Sequence, residues 1–220
     1  MLCKVNIFVH MWHKTGAFFA KILTLLFLSA IIRVYYILNG GSDMELTKAI
    51  YERRSIRKYK DAEITENEIM ELIKAGQMAP SWKNSQTARF YVALSKEARA
   101  KIVDCLPDFN KERASTASCV IVTAIKKGVS GYSSSGAPAT HLGHGFECFD
   151  NGLAVQNICL KAYDMGYGSL IMGLYDEKMV RDVFEIPTEL EVCALVAIGK
   201  ADIAPNTPLR NDTNEVLVIK

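Results

Sequence analysis

The chain from Met44 to Lys220 predicts an α+β domain, a mainly antiparallel sheet covered by helices. Two observations carry this expectation. Continuous apolar, β-branched runs at Cys119 to Ile125 and Val192 to Ile198 read as buried strands, while helical segments fall between strands without a strict strand–helix–strand rhythm. In addition, no Gly-x-Gly-x-x-Gly follows a strand and no Gly-x-x-x-x-Gly-Lys-Ser/Thr occurs, so neither Gly-rich nucleotide loop is present. At 220 residues, 50% hydrophobic and 23% charged, the chain suits one globular domain with a substantial core.

In chain order, Met44 to Arg53 places Leu46, Ala49 and Ile50 on one helical face. Thr65 with Glu68 three residues on is a capping box; the helix behind it turns Ile69, Leu72, Ile73 and Ala75 inward and is expected to stop near Gly76. Phe90 to Leu94 predicts a short strand, and Lys96 to Cys105 a helix ended by Pro107. After the strand from Cys119, residues 128–145 are rich in Gly and Ser, a long loop of the kind that is usually functional. Phe149 to Met165 predicts a long apolar helix, Ser169 to Met172 a strand, and Glu177 to Phe184 a helix stopped before Pro187. The tail from Ala201 shows no periodicity until Glu215 to Ile219, which can pair as a final strand.

Charge narrows the partners. Of 26 basic and 24 acidic residues, Lys4, Lys14, Lys21, Arg33 and Asp43 precede Met44, which leaves 22 basic and 23 acidic in the body. A near-neutral body gives no reason to expect nucleic acid. Six cysteines without a C-x-x-C pair, several in apolar runs, point to reduced thiols and a cytoplasmic location.

Residues 1–43 form an N-terminal extension. Ile22 to Ile32, between Lys21 and Arg33, is shorter than the roughly 20 apolar residues that span a bilayer. The codons of Gly40-Gly41 can hold a ribosome-binding sequence, so the preferred expectation takes Met44 as the true start. The alternative is a membrane anchor over residues 17–38, with Lys21 and Arg33 snorkelling.

Two polar clusters carry chemistry. Arg53-Arg54-Ser55-Ile56-Arg57 offers cations with a hydroxyl, and Ala79-Pro80-Ser81-Trp82-Lys83-Asn84-Ser85-Gln86 offers amides and hydroxyls in a turn. Taken singly, the arginines read as a solvated helix end and the asparagines as turn residues. In order along the chain, with Phe109-Asn110, Asp150-Asn151-Gly152-Leu153-Ala154-Val155-Gln156-Asn157, Gly166-Tyr167-Gly168-Ser169 and Met172-Gly173, they mean more. From Met44 onward the chain resembles the FMN-dependent nitroreductase family, over nearly the whole body.

That resemblance implies an interlocked homodimer with two FMN sites at the subunit interface, Arg53 to Arg57 coming from one subunit and Pro80 to Asn84 from the other. Arg53, beside Arg54 and with Arg210 as a second cation, would grip the flavin phosphate through a bidentate fork. Ser55 would bond the ribityl chain, and Arg57 with Arg113 would stabilise charge at N1 and O2 of the reduced ring. Asn84 and Asn110 would donate to and accept from the pyrimidine edge, with Pro80, Ser81 and Trp82 lining the ring. The backbone of Met172 and Gly173 would face N5, and no side chain need act as catalyst. The resemblance further implies ping-pong transfer of hydride from NADH or NADPH to a nitroaromatic, quinone or similar small acceptor.

Three features depart from the family pattern: Thr87-Ala88 replace the Pro-Trp that often follows, Met172 stands at an often acidic position, and the tail shows Arg210 with little other basic support. Two rival functions remain, a non-redox flavin-sensing module of the same fold and a membrane-tethered redox protein using residues 17–38. His141, His144 and Cys148 have a loose metal-ligand spacing, but no fourth ligand stands out in the sequence, and no metal is expected.

Overall fold

The central run Cys119–Lys126 (β2) is buried along seven of its eight residues because helices cover both faces of the sheet. The structure, a computed structural model, describes residues 46–220. The expectations for residues 1–43 and for an anchor over 17–38 lie outside the described residues. Among the described residues no helix is long and apolar enough to cross a membrane.

The other elements are α1 (Leu46–Glu52), α2 (Glu66–Gln77), a short 3-10 turn (Trp82–Asn84), β1 (Ala88–Ala93), α3 (Lys96–Asp104) and α4 (Asp108–Ala114). After β2 come α5 (Gly145–Asp164), β3 (Gly168–Met172), α6 (Glu177–Phe184), β4 (Leu190–Gly199) and the single turn α7 (Thr213–Val216). The sheet runs β1-β2-β4-β3 with every neighbouring pair antiparallel. Its register sets Phe90 opposite Thr123, Ile121 opposite Val196 and Leu170 opposite Ala197.

Alternation on β2 divides the core in two. Val120, Val122 and Ala124 join Ile102 of α3 and Val180 of α6 on one face. Cys119 and Ile121 join Leu72 of α2 and Ile158 of α5 on the other. A strand buried on both faces is apolar along nearly its whole length, and its one buried hydroxyl, Thr123, donates to Ala194 O, which is why the sequence does not alternate. Burial accordingly pushes the Cys119 thiol up to about 12.

The Thr65 capping box is present, with Glu68 N–H donating to Thr65 Oγ1 at 3.2 Å and Thr65 N–H to Glu68 Oε2 at 2.9 Å. The free edge of β3 is covered. Ser55 bridges Ser169 in parallel, Ile56 N–H donates to Ser169 O at 2.9 Å, and farther on Lys60 N–H donates to Lys200 O at 2.8 Å. The cationic segment is therefore fixed to the sheet by backbone pairing.

Helix α2 ends at Gln77, as the stop near Gly76 predicts, and Gly76 is a close-approach position: a Cβ there would lie 2.9 Å from Ile158 Cγ1 of α5. Three expectations need correction. Helix α4 was not expected; Pro107 starts it as the preceding residue, with φ −66°, after ending the approach from α3. Helix α5 begins at Gly145, four residues before the expected start at Phe149, with Glu147 of its first turn buried and holding the Val129 N–H. Residues 215–219 form no strand: Asp212 caps α7 by accepting from Asn214 N–H, and Leu217 onward is exposed. On α1 only Ala49 is buried, while Leu46 and Ile50 are 65% and 53% exposed, so most of its apolar face is uncovered in the single chain.

Candidate cofactor site

The cationic cluster lies where α1 ends and the chain turns onto the β3 edge. Arg53 is half-buried, and its Nε is buried with no hydrogen-bond partner. A buried guanidinium donor left unpaired is costly, so this atom is a candidate for a ligand oxygen. Arg54 behaves differently. Its Nη1 donates to Tyr51 O at 2.6 Å and Arg53 O at 2.8 Å, and its Nη2 to Thr207 Oγ1 at 2.6 Å. It fastens the C-terminal tail. Both arginines line a cleft of about 300 Å³ with Tyr163, Tyr167, Ser169 and Pro205. Arg57 is exposed and touches Ser55 O at 3.4 Å, so its guanidinium is largely uncommitted.

The amide turn lies on a second cleft, of about 100 Å³, lined by Pro80, Ser81, Gln86, Thr87 and Asp150 among others. The two clefts share no lining residue. Lys83, Asn84 and Gln86 hold φ of 50°, 55° and 48°, a left-handed backbone that non-glycine residues adopt at a cost. Within the turn Ser85 N–H donates to Trp82 O at 2.8 Å and Gln86 N–H to Ser81 Oγ at 3.0 Å. Trp82 meets Phe146 edge to face at 4.8 Å between centroids, and Phe149 continues the aromatic strip 5.8 Å beyond. Trp82 Nε1, Ser85 Oγ and Thr87 Oγ1 are buried without partners.

Asn110 on α4 is buried, and its Oδ1 accepts from Arg113 Nη1 at 3.4 Å; the Arg113 guanidinium lies 5.3 Å from the Phe109 ring centroid. Met172 is buried at the end of β3, paired with Leu195. Gly173 follows it, exposed, and a Cβ there would meet nothing within 4 Å. Glycine is thus not required there by this chain's own packing, and the backbone faces open space. Arg210 lies in the exposed tail and lines neither cleft.

The unpaired buried Arg53 Nε, the uncommitted Arg57 and the Asn110–Arg113 pair have the donor chemistry that a flavin mononucleotide's phosphate and ring edge take, and of these only Arg53 lines either cleft. Sequence reasoning missed Asp150, Ser130 and Glu147. Asp150 is buried and accepts from Trp82 N–H at 2.8 Å and from Ser130 Oγ. The available signal was polar residues interrupting an apolar helix.

His144 belongs to an ion-pair cluster. Its Nδ1 lies 2.7 Å from Glu147 Oε2 and its Nε2 3.2 Å from Glu191 Oε1, with Cys148 Sγ 3.6 Å from Nε2. Glu147, fully buried, also accepts Val129 N–H at 3.0 Å. The hydrogen bond to Glu147, together with the Glu191 charge and against slight burial, holds the imidazole above its ordinary range. A raised folded value means the histidine stabilises fully below its unfolded value and loses that contribution as pH rises through the folded one. Its ring is half exposed, so the contribution is expected to be under about 1 kcal/mol. The melting-temperature gap between the native protein and His144→Gln should therefore shrink as pH is raised from about 5 to about 9. A gap constant across that range contradicts the assignment.

Comparison with known proteins gives one consistent relationship. The family model described as "Nitroreductase family" matches residues 50–200. A protein of Archaeoglobus fulgidus, named as a candidate NADH dehydrogenase/NAD(P)H nitroreductase, is 31% identical over 159 residues, 70% of this chain and 84% of that protein. Among solved structures, a nitroreductase family protein from Clostridium novyi NT aligns with a TM-score of 0.63 at 25% identity, covering 75% of this chain and 89% of the other. A candidate nitroreductase from Exiguobacterium sibiricum, solved in complex with FMN, aligns with a TM-score of 0.71 at 24% identity, covering 81% and 99%.

Proposed function

This chain is a member of the nitroreductase family and an oxidoreductase, and from that premise we propose that residues 44–220 form an FMN-dependent enzyme. It takes reducing equivalents from NADH or NADPH and passes them to a nitroaromatic, quinone or similar small acceptor by a ping-pong mechanism. FMN, when bound, supplies the hydride-accepting ring. The observation that carries the reading is Arg53: a buried Nε with no partner, on a cleft it shares with Arg54, whose own guanidinium is committed to the tail.

The chain's own groups have these roles. Arg53 holds the phosphate, with Arg210 added from the exposed tail that Arg54 ties down through Thr207. Ser55 and Arg57 serve the ribityl chain and the pyrimidine end, where a fixed cation stabilises the negative charge of the reduced state. Asn110, oriented by Arg113, and Asn84 read the ring edge; Pro80, Ser81 and Trp82 cover it; the backbone of Met172 and Gly173 leaves room for it. The enzyme works as a homodimer in which one subunit's Arg53–Arg57 edge meets the other's Pro80–Asn84 turn. The uncovered α1 face, exposed Phe149 and the apolar tail at Val216 to Ile219 support that assembly. A cytoplasmic site of action accords with the five unpaired cysteines among the described residues.

Initial rates measured against NAD(P)H at several fixed quinone concentrations test the mechanism. Parallel double-reciprocal lines are expected. Intersecting lines would require both substrates to be bound together and would overturn it.

A further inference from the structure

The turn Pro80 to Gln86 is held in a conformation its residues do not favour, and what holds it lies far off in sequence. Three of its non-glycine residues, Lys83, Asn84 and Gln86, have positive φ. Such a backbone persists only where the surroundings over-determine it. One carboxylate outside the turn meets it: Asp150 of α5, 5% exposed, whose Oδ2 accepts the Trp82 backbone N–H at 2.8 Å. The same oxygen accepts from Ser130 Oγ, and Ser130 is fully buried near the start of the 128–145 loop. The next residue, Asn151, anchors this point of α5 to the sheet by donating Nδ2 to Thr123 Oγ1 at 3.1 Å. A charged acceptor shared by two donors, on a helix fastened to the central strand, is a rigid reference point.

We propose that Asp150 is a positioning residue: it sets the backbone of the Pro80–Gln86 turn for the cofactor and couples that turn to the 128–145 loop. It touches no cofactor atom itself. Its effect on binding rests on the function proposed above, whereas its hold on the turn does not. Preorganisation of this kind removes an ordering penalty that the bound group would otherwise meet. With the acceptor gone, Trp82 N–H and Ser130 Oγ lose their common partner, and turn and loop loosen together.

The test has two readouts on the whole chain, backbone hydrogen exchange over residues 80–87 and 128–145 and the Kd of the apoprotein for FMN. Asp150→Ala should speed exchange in both segments and raise the FMN Kd by about tenfold to a hundredfold, the range for losing a hydrogen bond to a charged group. Asp150→Asn keeps an acceptor oxygen in place and should stay within about threefold of the native protein. Ser130→Ala should loosen the loop and speed the turn's exchange as well, less than Asp150→Ala does because Asp150 still accepts the Trp82 N–H; a turn wholly unaffected contradicts the coupling. Should the alanine protein not fold, Asp150→Ser withdraws the acceptor from Trp82 and is read the same way. The proposal is overturned if exchange at residues 80–87 does not change on truncation, or if the asparagine protein binds FMN as poorly as the alanine one. A native protein that takes up no FMN refutes the function, while the exchange comparison, which needs no flavin, still decides the role of Asp150.

Discussion

Arg53→Met should strip the protein of FMN while leaving the apoprotein at least as stable as the native chain. Arg53 Nε is buried without a partner, so the folded apoprotein carries an unsatisfied donor, a penalty of about 1–3 kcal/mol. Methionine has similar length, fills the same space and carries no donor. Cofactor binding should suffer in the other direction. Truncating one side of a buried charge-assisted pair typically costs about 2–5 kcal/mol, which is roughly thirtyfold to a few thousandfold in Kd. Arg53→Lys should recover little, because a point charge on a flexible stem cannot reproduce the planar fork. Thermal melting of apoprotein and fluorescence titration with FMN measure the two halves separately. An apoprotein melting many degrees lower with FMN affinity unchanged would assign Arg53 to the fold.

The second large effect comes from a glycine that joins fold to site. A Cβ on Gly168 would lie 2.4 Å from Ile56 Cγ1 and 2.8 Å from Ile56 Cβ, closer than atoms can pack. Ile56 is buried in the core and its N–H is bonded to Ser169 O, so it cannot simply swing away. Gly168→Ala should push the 53–57 segment off the β3 edge, carrying Arg53, Ser55 and Arg57 with it. Overpacking of this kind costs about 1–3 kcal/mol, and each kcal/mol lowers Tm by roughly 2–4 °C in a domain of this size. FMN affinity should fall as well. The check is a double-mutant cycle with Ile56→Ala, which removes the Cγ atoms, the nearest of which lies 2.4 Å away, and leaves only the Cβ contact. The pair should melt higher and bind FMN better than the sum of the single changes predicts. Additive losses would show that the two residues do not collide.

How much of this was legible depended on whether the partners were near in sequence. The β2 run announced a strand buried on both faces, and Thr65 with Glu68 announced the start of α2, because local pattern decides both. Helix α4 escaped because seven mostly polar residues carry no clear periodicity. The apolar run at 215–219 misled because such a run makes a strand only where it finds one to pair with; Asp212 caps a helical turn there and the Ser55 segment already lies against β3. In the site, the order of the motifs flagged the Arg53–Arg57 and Pro80–Asn84 segments together. Their division of labour was hidden: Arg54 is engaged by Thr207, 153 residues away, and Trp82 by Asp150, 68 residues away. Sequence adjacency made Arg53 and Arg54 look alike; tertiary contacts separate them.

The most direct measurement is anaerobic visible spectroscopy of the purified protein after incubation with FMN and gel filtration. A yellow protein eluting at twice the chain mass, with one flavin per chain, and bleached on adding NADH or NADPH is the predicted result. A colourless single-chain species, with all flavin in the small-molecule fraction, would contradict the account at its root.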